Sequence, residues 1–141
     1  MGRRSQSNVL LVEILIAVLF FMLSATVLVQ VFAASRSMTV RADAQTRALA
    51  EAQNTAEALG AAEDVEELLA EEGFLKSHGV WTKEFDTYTL YVSCETVPEG
   101  PGEMRSAQVR AFYKNRKPQA GPAGDEEMFS LPVVRYQGVN G

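Results

Sequence analysis

Few residues in this chain are of a kind that does chemistry, and their placement narrows what that chemistry can be. One acid, Glu13, lies in a stretch, residues 9–34, in which only it and Gln30 are strongly polar. A charged side chain in hydrocarbon costs about 2.5–3.5 kcal/mol at a helix centre and less near the boundary. Such a carboxylate therefore needs a partner, a bound proton, or a position shallow enough to snorkel. The single histidine, His78, stands beside Gly79 and reads as a loop or capping residue. The single cysteine, Cys94, excludes a disulfide within these residues, and its place on the apolar side of an alternating run reads as a small buried hydrophobe. The acids Glu63, Asp64, Glu66, Glu67, Glu71 and Glu72 lack the ligand alternation and central glycine of a calcium loop and read as a solvated face. No nucleophile has a readable base and orienter, and no phosphate-binding loop, paired-cysteine metal spacing or His-Glu-x-x-His is present. The expectation is a protein that is not an enzyme and uses no cofactor or metal.

What positions Glu13 is the segment around it. A helix needs about 20 apolar residues to cross the hydrocarbon layer, and residues 9–34 meet that length. Arg3 and Arg4 precede the segment with no acid nearby. The positive-inside tendency then leaves the N-terminus in the cytoplasm and sends everything after Ser35 outward. The chain's net charge is −5, and with the two arginines on the other side, the part after Ser35 is acidic, which argues against binding nucleic acid. The segment has three readings: a secretory signal peptide, with small-residue cleavage sites at Val31-Phe32-Ala33 and Ala33-Ala34-Ser35 but an apolar core longer than usual; a plain membrane anchor; or an assembly helix in which Glu13 has a task.

The third reading comes from a resemblance. "MGRRSQSN" followed by "VLLVEILIAVLFF" resembles the N-terminus of type IV pilins and of the pseudopilins of type II secretion systems: a short basic leader, a cleavage junction, and an apolar helix with glutamate at its fifth mature position. Here the junction falls between Asn8 and Val9, where the family usually has Gly before the cut and Phe or Met after it. The resemblance implies processing by a prepilin peptidase, methylation of the new N-terminus, and assembly of subunits into a pilus, secretion or competence filament. It also implies an assembly ATPase and an inner-membrane platform protein as partners. Glu13 would set axial register by meeting the N-terminal amine of a neighbouring subunit.

Beyond Ser35 the residue pattern builds a fold by itself. From Val9 to Leu59 there is no Gly or Pro, so one helix is expected through both halves, a rod of roughly 75 Å at 1.5 Å per residue. In the outer half Met38, Ala42, Gln45, Leu49, Ala52, Ala56 and Leu59 recur at alternating spacings of four and three on one face. That stripe fits packing on a sheet of the same chain, with a coiled-coil seam as the alternative. Gly60 marks a helix end. "AAEDVEELLAEEG" reads as a short second helix with Val65, Leu68 and Leu69 on one face.

Four strands follow with period two: Trp81, Lys83 and Phe85 share a face in the first; Tyr88, Leu90, Val92 and Cys94 in the second; Ala107, Val109, Ala111 and Tyr113 in the third; Phe129, Leu131 and Val133 in the fourth. Their connections suit an antiparallel meander, and Pro132 places the last strand at an edge or beside a bulge. The expected organisation is a leader (1–8), a membrane or filament-core helix (9–35), an amphipathic extracytoplasmic helix (36–59), a connection with a short acidic helix (60–79) and a sheet region (80–141). The fold class is α+β, a long N-terminal helix packed on a four-stranded antiparallel sheet, as in pilins. The loop Asn115 to Met128 reads either as a contact surface or as a disordered connection.

Overall fold

A computed structural model of the chain describes residues 2–114 and 126–138. Two compact units emerge, Met1–Arg41 and Ala42–Gly141. The first helix, α1 (Gly2–Ala61), contributes to both. It includes residues 2–8, upstream of the expected start, and runs past Gly60 to Ala61. With no proline among them, nothing in those residues removes a backbone donor or forces a kink.

The second unit is α+β. After α1 come α2 (Val65–Glu71) and five strands: β1 (Leu75–Ser77), β2 (Val80–Glu84), β3 (Tyr88–Glu99), β4 (Gly102–Tyr113) and β5 (Glu126–Gln137). They form one antiparallel meander in the order β1-β2-β3-β4-β5. The sheet therefore has five strands, not four. The additional one, β1, falls inside the segment expected to be connection, because three residues are too few to show a period. What makes it a strand is the turn after it. Ser77 pairs with Val80 across His78 and Gly79, with φ of 51° and 82°. Positive φ at both central residues is the two-residue hairpin turn whose twist matches its strands. The β3–β4 hairpin is as tight: Glu99 pairs with Gly102 across the two residues Gly100 (φ 63°) and Pro101.

Pro132 pointed to an edge or a bulge, and β5 is both an edge and bulged. The register shifts between Ala111 and Phe112, leaving Met128 as the extra residue. Residues 115–125 of the expected outer loop lie outside the described residues; Glu126, Glu127 and Met128 belong to β5.

Alternation places Leu90 and Val92 of β3, Val109 and Ala111 of β4 and Trp81 of β2 on one face. These residues join Ala48, Ala52 and Leu59 of α1, together with Leu69 and Phe74, in one buried cluster. The helical stripe differs from the expected one. Ala44, Ala48, Ala52, Thr55 and Leu59 are buried and Ala56 is half-buried, whereas Met38 (72 % exposed), Ala42 and Leu49 (38 %) face away. Close approach of a helix to a sheet favours the face with the smallest side chains, and the alanines one step round from Leu49 provide it. Thr55 tolerates full burial because its Oγ1 donates to the Glu51 carbonyl at 2.9 Å.

The short helix α2 is held at both ends. Asp64 accepts from the backbone N–H groups of Glu66 and Glu67, capping its start. At its end Gly73 adopts φ 85°, Gly73 N–H donates to Ala70 O and Phe74 N–H to Leu69 O. That bond pair is the Schellman motif, and the buried Leu69 and Phe74 supply its customary hydrophobic contact.

Candidate functional site

Glu13 lies on α1 among exposed side chains that no other described part of the chain covers. Every large apolar residue from Val9 to Phe32 is between 48 % and 75 % exposed. The helix is long and apolar enough to cross a membrane and none of its apolar window is buried, which is compatible with a single-pass anchor. Asn8 and Val9 are exposed members of the same unbroken helix. Val9 and Glu13 are four residues apart, which puts their side chains on one face, one turn from each other. Ser24 and Thr26 satisfy their hydroxyls internally by donating to the carbonyls of Phe20 and Met22, so they present little unmet polarity to hydrocarbon.

Of the expected helix–sheet residues, Ala52, Ala56 and Leu59 lie against the sheet and Met38, Ala42 and Leu49 do not. An ion pair links β2 to α1: Lys83 Nζ lies 3.5 Å from the Glu51 carboxylate. The Lys83 ammonium also sits near the rings of Phe74 and Phe85, at 5.4 Å and 5.3 Å. A lysine on the apolar face thus places its ammonium by two aromatic rings and an anion. Below it Phe85 and Tyr88 stack at 4.5 Å. Burial pushes the Tyr88 phenol above its ordinary pKa; Glu51 adds to the rise and Arg47 opposes it.

The side chains singled out for chemistry are dispersed. His78 occupies the β1–β2 turn, its Nδ1 3.0 Å from the Ser77 hydroxyl. Cys94 is exposed, contrary to the expected burial. It does share a face with Leu90 and Val92, but the thiol borders a cleft at the end of α1. Partial burial there pushes the thiol above its ordinary pKa, with Glu66 raising it further and Lys76 lowering it. Among the described residues no three His, Cys, Asp or Glu side chains converge as a metal set.

The cleft, about 480 Å³, lies between the end of α1, the start of α2 and the far part of the sheet. Trp81, Cys94, Ala107 and Val133 line it, and two arginines lie one step further along the same face. Arg105 Nη1 donates to Glu63 O at 2.9 Å and Arg135 Nη1 to Ala62 O at 2.8 Å, so both reach the carbonyls just beyond α1. Sequence reading missed these two. The signal was available, because extending the Ala107–Val109–Ala111 alternation back by two residues reaches Arg105, and extending Leu131–Val133 forward by two reaches Arg135.

No family model, no curated protein and no solved structure matches the chain.

Proposed function

We propose that the chain is a pilin-like or pseudopilin-like structural subunit, inserted by residues 9–34 and assembled with like subunits through that helix. The observation that supports the reading is a wholly exposed apolar helix, interrupted by Glu13, continuous with the helix that supplies one layer of an α+β unit. Fully burying a large apolar side chain is worth about 1.5–3 kcal/mol, so this surface requires lipid or other helices around it. In an assembly the neighbouring helices replace lipid. Glu13 then fixes register by attracting a neighbour's N-terminal amine, freed by cleavage between Asn8 and Val9, because opposite charges attract strongly where water is excluded. Peptidase, ATPase and platform protein are separate chains in this reading, and the subunit itself is not an enzyme.

A second reading, an unprocessed single-pass anchor carrying a binding or scaffold domain, is favoured by one observation. The Asn8–Val9 bond lies inside α1, where backbone hydrogen bonding shields it from a peptidase. The intact mass and N-terminal residue of the protein from its host's membrane and surface fractions separate the two. A chain beginning at Val9 and carrying an extra methyl group supports the subunit. A start at Met1 or Gly2 favours the anchor, and a start near Ala34 sinks both in favour of a secreted domain. For the subunit, Glu13→Ala leaves the membrane pool intact and abolishes incorporation into assemblies; normal incorporation refutes the role of Glu13.

A further inference from the structure

We propose that the cleft at the end of α1 binds a singly charged carboxylate carried on an apolar body. Arg105 and Arg135 are direct register partners on β4 and β5. Directly opposed residues place their Cβ atoms about 4.5–5.5 Å apart, and like charges so placed repel. Among the described residues each guanidinium makes one hydrogen bond, to a neutral carbonyl. Among the described residues no carboxylate lies within ion-pair distance of either, although Asp43, Glu51, Glu66, Glu84 and Glu127 all pair with other cations. A helix C-terminus offers the equivalent of only about half a negative charge. The two arginines are both half-buried, and among the described residues most of their charge and most of their donors remain uncommitted. A carboxylate is the group whose two oxygens match that donor geometry.

The rest of the lining selects within that class. Beside the arginines the floor is Trp81, Ala107 and Val133, which offers an aryl or alkyl group a surface to lie on. Glu63, Asp64, Glu66 and Glu95 border the cleft as well. Asp64 is spent on the α2 cap and Glu66 on Lys76, but the negative field of the bordering carboxylates opposes any anion in proportion to its charge, so a singly charged one is opposed least and a phosphate or other multiply charged anion most. The volume of about 480 Å³ is that of a small-molecule site. A free aryl or alkyl carboxylate and the apolar C-terminal residue of a polypeptide share this chemistry.

Trp81 is the only tryptophan and lines the cleft, so its fluorescence reports occupancy. The full chain in nonionic detergent is titrated with N-acetylphenylalanine and, separately, with a pentapeptide ending in free phenylalanine, each against its C-terminal amide. The proposal expects a saturable change with at least one acid and none with its amide. Binding by the pentapeptide alone identifies a polypeptide terminus as the ligand, and binding by N-acetylphenylalanine alone a small molecule. Arg105→Gln and Arg135→Gln each weaken binding about tenfold or more, while Arg110→Gln, whose arginine pairs with Glu127, leaves it unchanged. Equal binding of acid and amide, no saturable response to any probe, or unaltered affinity in both cleft variants would overturn it. The comparison of acid with amide uses the unaltered chain and stands even if a variant fails to fold.

Discussion

At the scale of single residues the structure is most demanding where a side chain is absent. A Cβ built on Gly102 would lie 2.7 Å from both Gln137 O and the Tyr136 hydroxyl oxygen, and 2.9 Å from the ring carbon bearing it. One of these contacts is backbone, which cannot rotate away. Gly102→Ala is expected to cost about 1–3 kcal/mol, as overpacking does, read as a lowered urea midpoint with unchanged slope. Gly60, around which a Cβ meets nothing within 4 Å, is the matching position where alanine costs nothing by clash. Tyr88 makes a prediction in pH. Only 6 % exposed, it has a folded pKa raised by burial, so folded protein holds the phenolic proton more tightly than unfolded chain does. Its contribution to stability is complete below the ordinary tyrosine value of about 10 and is lost as pH climbs through the raised value. Thermal unfolding of the full chain between pH 9 and 11 should show that decline, and Tyr88→Phe should flatten it.

Among elements, the decisive contact is α1 against the sheet, and it depends on which alanines are small on purpose. Ala48 and Ala52 are completely buried, whereas Ala42 is exposed. Ala52→Leu forces extra methylenes between helix and sheet and is expected to destabilise by about 1–3 kcal/mol. Ala42→Leu falls on the open side and should change stability by less than about 0.5 kcal/mol. Equilibrium denaturation of the two variants tests the stripe, and equal effects would place the packing face elsewhere. The strands were legible wherever they were long enough to alternate, down to Lys83 on the apolar face. Strand β1 was not, since its pairing rests on backbone bonds and a two-residue turn rather than on side-chain period.

For the molecule as a whole, the apolar helix and the lone thiol allow a test of topology. Residues 9–34 should keep the chain in the membrane through alkaline carbonate washing and release it only to detergent. Cys94 is exposed and is the only cysteine. If the residues after Ser35 lie outside, a membrane-impermeant maleimide labels Cys94 in intact cells stripped of any outer envelope. Because the thiol's pKa is raised, labelling should accelerate as pH rises past the ordinary cysteine range of about 8.5. Labelling only after lysis would reverse the orientation that Arg3 and Arg4 imply.

The sequence by itself determined the long helix, the membrane-length apolar stretch with its one acid, the short acidic helix, the antiparallel meander and the edge-or-bulge character of the proline-bearing strand. Each of these is written in local period, turn chemistry or run length, which neighbouring residues carry among themselves. Only the tertiary structure decided which alanines of α1 meet the sheet, that Leu75–Ser77 is a strand, that Cys94 is open to solvent, and that Arg105 and Arg135 stand side by side at the end of α1. Those facts depend on register between segments distant in the chain and on where one element stops covering another. Neither is expressed in the residues of either segment alone.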